Sequence, residues 1–177
     1  MAKAGDVFDN PVSGETVTVI ASAAETNGQL FRWEHALRSG ARVPYDHVHA
    51  KQEERFEVTE GTATVRLGVK TLTLGPGEIV VIPVGTPHGL RNETDGVVRV
   101  CTEVRPARQT ERYFELVFAL AQQGKVGKRG LPNPLRLAVI ARAAGHQDYL
   151  LGVPVVVQRW TVTALALVGR LFGYRAE

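Results

Sequence analysis

Four side chains of this sequence have the types and spacing of a metal site. The stretch Tyr45-Asp46-His47-Val48-His49 places two histidines one residue apart. If it is extended, both point to one face, about 7 Å apart along the backbone, and can converge on one ion. The same pair alone also fits two surface histidines on a strand. The run Glu53-Glu54-Arg55-Phe56-Glu57-Val58 adds a constraint, because Phe56 and Val58 must face an apolar interior and Glu54 shares their parity. Glu53, Arg55 and Glu57 then face solvent. A carboxylate aimed into an apolar interior is costly unless something pairs with it. A divalent cation beside two histidines is one such partner, and an inward arginine, Arg32 or Arg42, is the other. His88 follows a loop shaped by Pro83 and Gly85, so backbone constraints fix its position. Alone it reads as a capping or core histidine; beside three other ligands it reads as the fourth.

Further polar residues surround this set. Tyr45 shares the parity of His47 and is a candidate catalytic hydrogen-bond donor in a pocket, or else a lining aromatic. In Phe31 to Leu37, Trp33 and His35 share one face, Arg32 and Glu34 the other, and either pair can line a pocket. His146, after a glycine, reads as a helix-end or surface histidine. Cys101 is the only cysteine, which excludes an internal disulfide and a thiolate zinc site.

The elements that must position these residues come in two kinds. From Thr16 to Val104, short β-branched and aromatic runs alternate with Gly, Pro, Asn and Asp turns, the pattern of an antiparallel sandwich or barrel. After Pro106 the apolar period becomes about 3.6 residues, which predicts three helices. The first carries Tyr113, Leu116, Val117 and Leu120 on one face and ends at Gly124; the second opens near Pro134 and closes at Gly145. The third opens at Pro154 and presents a broad face from Val153 and Val156 through Trp160 and Leu167 to Leu171. This organisation divides the chain into a barrel over 1–105 and a helical extension over 106–177 that packs on the barrel or on a partner subunit. Gln158, Arg159 and Arg170 interrupt the third helix as a transmembrane span, and contact of 153–172 with a membrane surface is the alternative.

Gly40, His47, His49, Glu54 and Gly61 resemble the first motif of the cupin superfamily, and Gly77, Pro83, Gly85, His88 and Asn92 resemble the second. The interval from Gly40 to His47 is one residue longer than usual. The resemblance covers residues 20 to 105. It implies a mainly β fold, the cupin double-stranded β-helix or jelly-roll barrel, with a divalent transition metal (Fe, Mn, Ni, Co or Zn) held by His47, His49, Glu54 and His88. It also implies a metal-dependent enzyme of dioxygenase type, or of isomerase or decarboxylase type, acting on a small oxygenated molecule. A small-molecule sensor or binding module is the alternative. Small cupins pair through their sheets, so a homodimer is expected.

Charge separates the halves of the 177-residue chain. Residues 1–105 carry 11 basic and 14 acidic groups, whereas 106–177 carry 10 and 4. The basic residues are scattered at helical spacing without a cluster or recognition motif, so nucleic acid is not an expected partner. The first residues lack the apolar run of a secretory signal, so a cytoplasmic location is expected, and the sequon at Asn92 reads as chance.

Overall fold

The computed structural model describes residues 2–43, 45–145 and 148–176. His146, expected at a helix end, lies outside the described residues. Ten strands come first: β1 (Val7–Asn10), β2 (Glu15–Ala21), β3 (Phe31–Leu37), β4 (His47–His49), β5 (Glu53–Glu60), β6 (Ala63–Leu67), β7 (Lys70–Leu74), β8 (Ile79–Ile82), β9 (His88–Arg91) and β10 (Val98–Arg105). Helices α1 (Thr110–Gln122) and α2 (Pro134–Ala143), a short strand β11 (Asp148–Leu150) and helix α3 (Val155–Leu171) follow. All pairings are antiparallel. One sheet has the order β1-β2-β3-β10-β5-β8, the other β11-β4-β9-β6-β7, and they face each other as a jelly-roll barrel.

Strand parity decides what lines the interior. In β5, Glu54, Phe56 and Val58 are buried while Glu53 is exposed and Arg55 and Glu57 are half-buried, as the alternation requires. In β3, Phe31, Trp33, His35 and Leu37 are the buried set. Their neighbours Arg32 and Glu34 lie on the outer face, where they pair with Glu103 at 3.0 Å and Arg99 at 2.6 Å across the sheet. Two apolar clusters result. One, around Leu37, Phe56, Val58, Leu90 and Val98, fills the space between the sheets. The other joins Val17, Val19, Phe31 and Trp33 to Tyr113, Leu116, Val117 and Leu120 of α1. The helix therefore uses the face that the sequence predicts, and it covers the part of the larger sheet formed by β1, β2 and β3.

Two buried polar residues secure α1. Gln52 donates through its amide nitrogen to the carbonyl oxygens of Pro106 and Ala107 at 2.9 and 3.2 Å, and to Thr110 Oγ1 at 2.9 Å. Glu111 accepts from the backbone N–H of Ala2 and of Ala23. α2 begins at the expected proline, with Asn133 Oδ1 accepting from Arg136 N, and it ends before Gly145, which is left-handed at φ 55°.

The extension departs from expectation twice. It is not purely helical, because β11 pairs with β4 and joins the smaller sheet. The division at 105/106 is therefore not clean, and residues 148–150 belong structurally to the barrel. Nor does α3 pack on the barrel through its broad face. It packs on α2 through Val162, Leu165, Ala166 and Gly169, leaving Val156, Trp160, Leu167 and Leu171 exposed. The physical reason is that the helix has apolar residues on two opposite sides, so its pattern does not select one face. Small residues do select it: a Cβ on Gly169 would lie 2.8 Å from Leu135 O, which is how closely the two helices approach.

Gly61, in the turn between β5 and β6, has φ +76°, and a Cβ there would lie 2.7 Å from Val97 O. Gly61→Ala combines left-handed strain with a backbone clash. It is expected to lower unfolding free energy by about 2 kcal/mol in denaturant titrations; an unchanged midpoint would contradict the turn geometry.

Candidate metal centre

The expected ligands meet at one end of the barrel. β4 supplies His47 and His49, and the paired strand β9 supplies His88 directly opposite His47 in register. Glu54 reaches them from β5 in the facing sheet, so the cluster bridges both sheets. One ligand atom from each of the four lies within 4.8 Å of the others. The imidazole centroids are 4.5 to 5.0 Å apart. His49, Glu54 and His88 are buried, and His47 is half-buried. Arg32 and Arg42, the alternative partners for Glu54, are elsewhere: Arg32 pairs with Glu103 on the outer face, and Arg42 is exposed in an isolated bridge to Arg91.

Each histidine has its Nδ1 engaged outside the cluster. His88 Nδ1 lies 2.8 Å from Thr86 O, His47 Nδ1 3.2 Å from Tyr45 O, and His49 Nδ1 2.6 Å from Asp148 Oδ1. Carbonyl and carboxylate oxygens only accept, so Nδ1 carries the hydrogen in all three rings. Nε2 of each ring is thereby left for the cluster, and in the neutral form of the ring its lone pair is available there, the arrangement that metal-binding histidines need. His88 Nε2 is fully buried and comes within 2.7 Å of Glu54 Oε2, yet at an angle that makes no hydrogen bond. A buried nitrogen without a hydrogen-bond partner, next to a carboxylate, fits a cation between them. The residues present therefore fit a divalent metal.

Without a cation, protons must balance the same charges. Burial pushes His47 down to about 4, so it is neutral near pH 7. Burial also opposes charge on His49, but hydrogen bonds and the negative charge of Asp148 and Glu54 outweigh it and push His49 up to about 10. For Glu54, burial favours the neutral acid, and the hydrogen bond and charge of His49 outweigh it, holding the carboxyl well below the usual range. His49 is thus a proton-bearing link between two carboxylates.

Asp148 is the residue that sequence reasoning missed. It stands opposite His49 across the β11–β4 pair, 99 positions away in the chain. A three-residue strand leaves no readable alternation, and the available signal was that Asp148 is the single acid between residues 116 and 176. Tyr45, the expected donor, does line the cavity beside the cluster, together with Trp33, Phe56 and Tyr113. Its hydroxyl bonds to that of Tyr113, and burial, with a smaller contribution from Asp148, pushes it up to about 12. Tyr45 is therefore held as the neutral phenol near pH 7. His35, whose facing the sequence left open, is buried in the same wall with its Nε2 3.1 Å from Glu15.

Two outcomes follow from His49. Metal must displace its Nε2 proton, so affinity should rise with pH, by up to about tenfold per unit between neutrality and pH 10, with about one proton released per ion. Calorimetry in buffers of different ionisation enthalpy reads that proton, and its absence at neutral pH would contradict the ion triad. Asp148→Asn should flatten that pH dependence and reduce the released proton, because the neutral amide no longer holds His49 protonated, and it should weaken metal binding by about 10- to 100-fold at a pH where His49 is deprotonated in both forms, because the ring loses its orienting carboxylate.

Comparison with known proteins bears on the barrel. The Cupin domain family (Cupin_2) matches residues 33–104, which include all four cluster residues. Among solved structures, KdgF from Halomonas sp. is similar at 23% identity and TM-score 0.53, over 60% of this chain and 90% of that one. An RmlC-like cupin from Shewanella frigidimarina NCIMB 400 gives 21% and 0.52, over 60% and 88%. A predicted oxalate decarboxylase from Thermotoga maritima gives 14% and 0.52, over 60% and 99%. No curated protein matches the chain. The β-barrel of this chain is a cupin domain, and it carries a C-terminal extension of three helices and one strand.

Proposed function

We propose that this protein is a metal-dependent enzyme of dioxygenase type acting on a small, largely apolar molecule that carries oxygen donors. The observation behind this reading is that His47, His49 and His88 each have Nδ1 tied outside the cluster, which leaves Nε2 of each ring for an ion beside Glu54. Held by these four residues, a divalent transition metal supplies Lewis-acid or redox chemistry at coordination positions that the protein leaves open. The chain's own groups do the rest. Phe56, Phe114, Phe118 and Leu131 give the cavity an apolar wall that excludes water from the reacting end. Trp33, which lines that wall, has a buried indole N–H without a hydrogen-bond partner, a donor suited to a substrate oxygen. The Tyr45 hydroxyl, kept protonated, can donate to a second oxygen near the cluster.

A related reading is isomerisation or decarboxylation, in which the Tyr45–Tyr113 hydroxyl pair supplies the proton that a substrate carbanion or enediolate must take up. The likeness to the protein described as an oxalate decarboxylase is one of fold alone.

The test is oxygen consumption with catechols and β-diketones by protein loaded separately with Fe(II), Mn(II), Co(II) or Ni(II). Uptake is expected with at least one metal. It should fall to background in His47→Ala and His88→Ala, which should also purify without stoichiometric metal. If both variants keep their metal, the assigned ligands are wrong. Metal binding without uptake for any pairing would favour the isomerase reading or a non-catalytic binding module.

A further inference from the structure

We propose that the outward face of α3 docks on an anionic lipid surface, with the helix lying in the plane of the headgroups. The face opposite the α2 contact consists of Val156, Trp160, Ala164, Leu167 and Leu171, spaced three and four residues apart and all exposed. Trp160 is 70% exposed and Leu171 87%, and Phe172, at 73%, extends the patch beyond the helix end. An apolar stripe of this size, with no polar residue within it, is unusual on a free surface. Ala166 and Gly169 are committed to α2, so the helix cannot turn this stripe inward without losing that contact.

Charge selects the occupant. Arg159, Thr163 and Arg170 follow one long edge of the stripe, and Arg142 of α2 joins them through its 3.4 Å contact with Thr163 Oγ1. From residue 116 to residue 176 the chain has eight Lys and Arg and a single acid, Asp148, which is committed to His49. An apolar stripe with an aromatic at its centre and arginines along its border matches anionic headgroups above an apolar boundary. A second copy matches less well. An isologous contact sets the same patch against itself, and α3 offers no carboxylate to meet the arginine edge. Seventeen residues span about 26 Å, and no helix among the described residues is long and apolar enough to cross a membrane. The helix therefore lies on the surface.

Flotation of the full chain with vesicles tests this. It should float with phosphatidylcholine vesicles containing phosphatidylglycerol. Binding should be at least about tenfold weaker with phosphatidylcholine alone or in about 0.5 M salt. Trp160→Ser with Leu171→Ser should abolish flotation, and Arg159→Glu with Arg170→Glu should reduce it by at least about tenfold. All four positions are exposed, so unchanged circular dichroism and unfolding midpoints serve as folding controls. Of the two tryptophans, Trp33 is buried, so a blue shift of emission on adding vesicles reports Trp160. Failure of the wild type to float, equal binding to neutral vesicles, or wild-type binding by the double serine variant would overturn the proposal. So would a dimer in sedimentation equilibrium that the serine variant dissociates while neither form binds vesicles.

Discussion

The barrel depends on a carboxylate turned toward an apolar interior. Glu54 belongs by parity to the same row as Phe56 and Val58, and burying its charge is tolerable only because three imidazoles stand opposite on the facing sheet. This places the cluster at one end of the space between the sheets. Farther in, Leu37, Val58, Val98 and Val100 fill the interior with no polar partner to offer. The outward ties of the three Nδ1 atoms are the second part of the same constraint. They fix each ring's orientation before any ion arrives, so the rings need not turn on binding.

Much of this was readable from the sequence because a strand has a period of two. Phe56 and Val58 identify the inner row of β5, and Glu54 follows. His47, His49 and His88 were legible as residues, but their tautomers were not, since Tyr45 O and Thr86 O become acceptors only when the chain folds back. The inward facing of His35 was legible as well. Phe31 and Leu37 share its parity, and two large apolar residues at the ends of β3 suffice to send His35 and Trp33 inward. Asp148 and the packing face of α3 were not legible. One depends on a strand too short to show alternation, the other on a helix with apolar residues on two opposite sides.

The extension is part of the site's wall. Phe31 and Trp33 stack at 4.8 Å between centroids, and Phe114 of α1 meets Trp33 edge-on at 5.3 Å. Without α1 this aromatic group would lie open on the inner face of the larger sheet. The buried bonds of Gln52 to the start of α1 join that helix to the β4–β5 loop, which separates His49 from Glu54. The same chain segment that carries the ligands therefore fixes the cavity's cover. α3 connects to this arrangement through Gln158, whose side chain bonds both the N–H and the carbonyl of Leu150 in β11.

Asp148 gives that connection a particular consequence. His49 lies between two carboxylates, Glu54 on its Nε2 side and Asp148 on its Nδ1 side. At neutral pH one positive charge must occupy this place, as the His49 proton or as a metal ion. Exchanging one for the other alters only the Nε2 side. The Nδ1–H bond to Asp148 is made in both states, so loading the site does not require β11 to leave β4. The barrel and its extension can hold one geometry while the charge at their junction changes its chemical form.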